Sequence, residues 1–306
     1  MSEVVAVTGA TGFIGQVLLD LLLERGCRVR ALTRHPLSVE RENLEWVHGN
    51  LDDHDSLRKL VAGVSAVIHC AGVVRGNSLE SFWRYNVDGT DNLLRAIMDQ
   101  KIKPRFLFIS SLAARKSSLS WYATSKFEAE RVVNNYSHEF PCTILRPAAV
   151  YGRGDKELKP LFEATRYGLL PVVGHLNNRF GLLHVDDLVA AIYCWFSADE
   201  PVKGLFEIDD GTPGGYTYQL VASIAQDILG KPVRCIQFPE WLVRLIANIN
   251  LSLSKLLNYS PMLTPGKVNE LQHPDWVCDT MPLKRDLVSW YPNLRLCDTL
   301  PQLIKH

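Results

Sequence analysis

The chain has 306 residues, 47% of them hydrophobic, with 33 basic and 33 acidic side chains and therefore no formal net charge. That length suits one large domain or two intimate ones. The neutral balance excludes a general attraction to nucleic acid or to an anionic membrane, so any phosphate must be bound by local features.

The first 150 residues alternate short apolar runs with amphipathic stretches. Runs at 4–8, 28–33, 44–48, 66–69, 106–110 and 143–147 read as strands, and 12–25, 55–62, 79–99 and 121–139 read as helices. Apolar strands separated by helices predict βαβ units, a parallel sheet covered on both faces and right-handed crossovers, a Rossmann-type α/β fold. After Pro147 prolines break the pattern into shorter elements. Residues 183–197 still read as a strand end and a helix. Beyond them come a helix near 217–229, a strand near 233–237 and an apolar helix near 240–257. The expected division is a nucleotide-binding domain over 1–165, with 180–202 returning to it. A smaller α/β substrate lobe over 203–306 then sits on the C-terminal edge of the sheet, where open α/β sheets bind ligands.

The seven cysteines are scattered, odd in number and without a CxxC pair. A disulfide framework or zinc site is not expected, and a reducing, cytoplasmic location is. No basic segment leads a long apolar core at the N-terminus, and no apolar run is long enough to cross a bilayer, so neither a secretory signal nor an integral membrane segment is expected. His48, His54 and His69 lack metal-ligand spacing, and no metal is predicted.

The turn between the first strand and first helix reads TGATGFIG (8–15). Gly9 and Gly12 allow close backbone approach, Gly15 lets the helix pack on the strand, and the helix N-terminus offers N–H groups to a diphosphate. Thr11, Phe13 and Ile14 complete that contact surface. The second strand ends at Thr33-Arg34, with no acidic residue between Arg28 and Val39. An acidic side chain there would bind a ribose 2′-hydroxyl, whereas Arg34 can pair with a 2′-phosphate, which favours NADP(H) with NAD(H) as the alternative. A plain exposed loop arginine is the other reading of Arg34.

Tyr122 and Lys126 are four residues apart in a helical pattern and share a face. A phenol ionises near pH 10, and a neighbouring ammonium lowers that value, so Tyr122 can exchange a proton with a substrate oxygen. Ser111 ends the fifth strand at the ligand edge and could hydrogen-bond the same oxygen.

In this order the motifs resemble the extended short-chain dehydrogenase/reductase family, also described as NAD-dependent epimerase/dehydratase-like, over most of the chain. TGATGFIG is similar to the family's cofactor turn, and GNLDD (49–53) to its adenine-contacting segment, which implies Asn50 and Leu51 at the adenine. HCAG (69–72) and NVDGT (86–90) are similar to segments beside the cofactor, which implies Ala71 and Gly72 along it. ISSLA (109–113) and YATSK (122–126) imply a Ser111, Tyr122, Lys126 triad, with Tyr122 and Lys126 also touching cofactor. LRPAAVYGRGD (145–155) and HVDDLV (184–189) match further segments, which implies Pro147 and Val150 at the nicotinamide. Family dehydratases of nucleotide sugars carry Asp-Glu after the catalytic Ser/Thr, whereas Leu112-Ala113 stand here and cannot move a proton. The resemblance leaves an alcohol/ketone oxidoreductase or a nucleotide-sugar epimerase with retained NAD. A non-catalytic NADP(H) sensor is the reading from another class, and the intact triad argues against it.

The segment from Pro239 to Leu257 also resembles the corresponding region of the 3β-hydroxysteroid dehydrogenase-like branch. It could line a pocket for a bulky apolar substrate, touch a membrane surface, or serve as a core or dimer helix. Asp186-Asp187 is expected to cap the following helix. Arg153 and Arg179 suit a substrate anion or a surface ion pair, and Trp83 and Tyr85 suit the substrate border or the core. A small-molecule substrate, no nucleic acid, and a homodimer through the helices at 79–99 and 121–139 complete the expectation.

Overall fold

The computed structural model describes residues 3–35 and 41–304. Val4–Thr8 (β1), Arg28–Thr33 (β2), Leu44–His48 (β3), Ala66–His69 (β4), Arg105–Ile109 (β5) and Cys142–Pro147 (β6) lie in one sheet with Gly204–Ile208. The seven strands run in the order 204–208, β6, β5, β4, β1, β2, β3, and every pairing is parallel. The chain moves outward from β1 to β3, then returns to the other side of β1 as β4. That reversal opens a crevice at the C-terminal ends of β1 and β4, the place where such sheets take ligands.

Both faces are covered, as strands such as β4, buried at every residue, require. On one face Val17, Leu18 and Leu22 of Phe13–Glu24 (α1) join Leu188, Ile192 and Trp195 of the helix Val185–Ser197. On the other face lie His54–Val61 (α2), then Leu79–Phe82 (α3), Gly89–Met98 (α4) and Trp121–Tyr136 (α5). Leu57, Leu60, Leu93, Ile97, Ala129 and Val133 fill the core beneath them. The helix expected over 79–99 is one continuous run with a change of winding, because Trp83–Asp88 between α3 and α4 forms a π-helical turn. Such wide turns re-aim side chains and recur at functional sites.

Beyond β6 a second core forms around Tyr151, Phe162, Leu170, Tyr216, Tyr218 and Leu300. Three short parallel pairs stitch this lobe: Ala149–Tyr151 with Leu182–His184, Leu169–Val172 with Arg234–Gln237, and Arg179–Phe180 with Asp275–Trp276. The expected lobe boundary at 203 needs correction. Gly204–Ile208 is the edge strand of the main sheet, paired to β6, and Leu283, Leu287 and Trp290 pack into the core beside α1. The chain therefore returns to the first domain twice after residue 203, because the β6 edge is still unpaired when it leaves.

Candidate active site

The turn after β1 is built as a cradle. Gly9 has φ +70°, and a Cβ on it would lie 2.6 Å from the backbone nitrogen of Ala71. A Cβ on Gly15 would lie 2.0 Å from the carbonyl oxygen of Gly9, so α1 touches the turn backbone to backbone. Gly12, the cap of α1, offers no capping side chain, and no acidic residue stands in the first turn. The N–H groups around Thr11, Phe13 and Ile14 thus lack a built-in anion, at the positive end of a 12-residue helix. Those features fit the diphosphate of a dinucleotide.

The other residues expected beside a cofactor are placed as follows. Ala71 donates its N–H to Thr8 Oγ1 at 3.3 Å, and the Thr8 hydroxyl lies 2.6 Å from His69 Nδ1. Burial drives the His69 pKa down to about 3, so the ring is a neutral bridge between Thr8 and Thr90. A Cβ on Gly72 would stand 3.0 Å from Asn86 Oδ1 and 3.4 Å from Lys126 Nζ, which brings the cofactor edge and the triad together. Asn86, buried in the π-turn, accepts from Val73 N at 2.8 Å and donates to Val73 O and to Ser125 Oγ. It thereby fixes the 71–73 loop to α5.

At the far end, Asn50 Oδ1 accepts from Asp52 N at 2.7 Å, closing its own loop and leaving one lone pair free. Leu51 packs under α4, where a Cβ on Gly89 would meet it at 2.8 Å. Arg34 is exposed just past β2, and part of its surrounding loop, 36–40, lies outside the described residues. Pro147 is buried opposite Ile208, and Val150 sits on the short strand that pairs with Leu182–His184.

Ser111 and Tyr122 meet. Ser111 follows β5 in extended conformation, its Oγ accepts from Ala113 N at 3.2 Å, and it stands near enough to the Tyr122 phenol to influence its ionisation. Burial pushes the phenol above its ordinary value near 10, with Ser111 opposing that rise. Lys126 is buried, donates to Ile109 O at 2.8 Å and lies 4.7 Å from the centre of the Phe108 ring. Burial lowers its pKa to about 8 while Glu130 pulls upward. Glu130 is itself held by Arg146 through contacts of 2.8 and 2.6 Å and by Ser110.

The charges that act on the phenol include groups that sequence reasoning missed. They are Glu270, Lys267 and Glu157, with Lys267 favouring the phenolate and the two carboxylates opposing it. Lys267 and Glu270 come from Pro265–Gln272, a helix capped by Thr264. Lys267 Nζ lies 3.0 Å from Glu270 Oε2, and the other oxygen of Glu270 accepts from Ser120, the residue that caps α5 two places before Tyr122. Asn269 donates to Leu119 O at 3.0 Å, and a Cβ on Gly266 would collide with Ser120. The helix Pro265–Gln272 is therefore clamped to the start of α5. Its only local signal was the Thr-Pro start of a helix, since a 120–270 contact has no periodic trace. Glu157 in turn pairs with Arg75 at 2.6 Å.

Other expectations resolve as structural contacts. Asp187 accepts from Asn293 and Leu294 N–H groups rather than capping its own helix, whose cap is His184. Arg153 pairs with Asp20 at 3.2 Å and Arg179 with Asp275, both at the surface. Trp83 and Tyr85 are each 38% exposed on the π-turn, so neither is core. Among the described residues no cluster of three His, Cys, Asp or Glu could hold a metal, all seven cysteines are free, and no helix is long and apolar enough to cross a membrane.

Residues 5–208 match the family model described as the NAD dependent epimerase/dehydratase family. This chain belongs to that family. A ceramide reductase of Caulobacter vibrioides is 35% identical over 94% of this chain and 89% of its own length. A 3 beta-hydroxysteroid dehydrogenase/Delta 5-->4-isomerase of Mycobacterium tuberculosis is 30% identical over 70% of this chain and 63% of its own. The fold is shared with UDP-glucuronic acid 4-epimerase of Bacillus cereus, solved with UDP-glucuronic acid and NAD, at a TM-score of 0.75 and 19% identity over 99% of each chain. The family's members are NAD-dependent oxidoreductases or epimerases, which supports an enzyme that uses a nicotinamide dinucleotide.

Proposed function

We propose that this protein is an NADP(H)-dependent reductase of a ketone carried on a large apolar body, working reversibly on the corresponding secondary alcohol. The observation that carries the reading is the grouping of Ser111, Tyr122 and Lys126 at the edge where a Cβ on Gly72 would stand 3.4 Å from Lys126 Nζ. The nicotinamide, when bound, supplies the hydride. Tyr122, its proton retained by burial, donates that proton to the carbonyl oxygen, and Ser111 donates a hydrogen bond to the same oxygen. In the reverse direction the phenolate takes the proton of the alcohol. The Gly9, Gly12 and Gly15 turn would hold the diphosphate, Arg34 the 2′-phosphate, Asn50 and Leu51 the adenine, and Lys126 the nicotinamide ribose beside Pro147 and Val150.

Burial raises the phenol above its ordinary value, so at neutral pH it holds the proton that the reductive direction requires it to donate. The apolar substrate rests on the ceramide reductase likeness and on a 2-alkyl-3-oxoalkanoate reductase of Stenotrophomonas maltophilia, 31% identical over 64% of this chain and 66% of its own. The reading includes a cytoplasmic homodimer that pairs through α4 and α5. In Tyr122→Phe, ketone-dependent NADPH oxidation should fall by about 10²–10⁴-fold while the NADPH dissociation constant stays within about twofold. Near-parental turnover would defeat the assignment. Tightly retained NAD and sugar interconversion without net NAD(P)H change would favour an epimerase instead.

A further inference from the structure

The helix Glu240–Leu257 buries only Val243, Ala247 and Ser254. Its buried side packs on Val268 of the clamping helix, with Val173 and Leu263 alongside. The opposite side carries Trp241, Leu245, Ile249, Leu253, Leu256 and Leu257, all exposed, with Leu256 at 80% and Trp241 at 67%. Five of these follow an i, i+4 ridge along the whole helix, roughly 27 Å at 1.5 Å per residue. A continuous apolar ridge of that length left in water marks an interaction surface. It does not serve the catalytic cleft as a lining, because the face turned towards the Lys267 helix is the buried one.

Charge along the chain segment that carries the ridge is sorted. Between Gly230 and Leu263 the chain has four basic residues, Lys231, Arg234, Arg244 and Lys255, and one acidic residue, Glu240, a net +3 from 4 − 1 in a chain of zero net charge. Glu240 is paired to Arg244 at 2.6 Å, which leaves Lys231, Arg234 and Lys255 as the surplus. A second copy of this face would bring like charges together in a twofold contact, since such an interface meets itself. An anionic lipid surface complements it.

The ridge also ends beside the site. Asn77 donates to Ser254 O at 3.3 Å, and Asn258, Tyr259 and Ser260 share a cavity of about 200 Å³ with Val73, Arg75 and Tyr85. Val73 is the residue that Asn86 ties next to Gly72 and Lys126.

We propose that the Glu240–Leu257 helix seats this protein on the surface of an anionic lipid bilayer, lying in the headgroup plane with its C-terminal end at the mouth of the catalytic cleft. The helix lies on the bilayer and does not span it, as its polar flanks and the absence of a spanning helix among the described residues require. An apolar substrate could then pass from lipid to the cleft without crossing water. The proposal stands apart from the reductase reading, because seating needs neither cofactor nor turnover.

The full chain is floated with phosphatidylcholine vesicles containing or lacking phosphatidylglycerol. It should float with the anionic vesicles, far less with the neutral ones, and less as salt rises. Ile249→Glu with Leu253→Glu should weaken vesicle affinity by about tenfold or more while NADPH binding and molar mass stay unchanged. Absence of flotation by folded parent protein on anionic vesicles overturns the proposal. So does a double variant that floats as well as the parent, or one that splits a parental oligomer, which would make the ridge a subunit contact. If the double variant lacks a melting transition, Trp241→Phe decides. The parent's vesicle-induced fluorescence change should be lost in that variant, and its persistence counts against the ridge.

Discussion

Tyr122 is placed by the sequence and tuned by residues far from it. Its expected electrostatic partner is Lys126, whose amine donates to Ile109 O, and Lys267 is a further cation that favours the ionised phenol. An ammonium favours the ionised phenol and a carboxylate disfavours it. Removing Lys267 should therefore raise the phenol's pKa, and removing Glu270 should lower it. In the reductive direction the phenol must keep its proton, so turnover falls as pH climbs through that pKa. The pH–rate profile of Lys267→Met should have its alkaline limb displaced to higher pH, and that of Glu270→Gln to lower pH. Unshifted limbs in both variants would remove these residues from the tuning of the phenol. The grouping of Ser111, Tyr122 and Lys126 was legible because they sit on one strand end and one helix turn. Lys267 and Glu270 were not, because a contact across 150 residues of sequence is made by folding alone.

At the scale of elements, strands β1 to β6 were readable since each is an apolar run between polar turns, and burial on both faces demands that composition. The Gly204–Ile208 strand has the same character but was placed in the substrate lobe, since its partner β6 lies some sixty residues back. The π-turn at Trp83–Asp88 has the same apolar spacing as an α-helix and left no mark. The β1–α1 junction makes a sharper claim. Gly15→Ala would drive a methyl carbon to 2.0 Å from Gly9 O, and neither backbone can yield without opening the cradle. That variant should lose saturable NADPH binding and melt at lower temperature, with a destabilisation of about 1–3 kcal/mol or more, read by thermal denaturation with and without NADPH. A Gly15→Ala protein that bound NADPH as the parent does would refute the close-packed turn.

The whole molecule is knitted together by chain that leaves the first domain and comes back. Trp290 is buried in the core beside α1 and donates its indole N–H to Asp187 O at 3.0 Å, while Asp187 also receives Asn293 and Leu294. Arg115 ties Glu207 on the edge strand to the carbonyls of Asp275 and Val277. Lobe and sheet should therefore unfold together. Trp290→Ala should cost about 3–5 kcal/mol and shift a single transition, whereas a separate early transition would show an independent lobe. Domain organisation was the least legible property, because a boundary read from composition assumes that the chain does not return.

The account rests on a turn at residues 8–15 that holds a nicotinamide dinucleotide against a protonated phenol. A fluorescence titration of the purified chain with NADPH and NADH tests it most directly. Saturable binding is predicted, tighter for NADPH, retained in Tyr122→Phe and inverted towards NADH in Arg34→Asp. A chain that saturates with neither dinucleotide would contradict it.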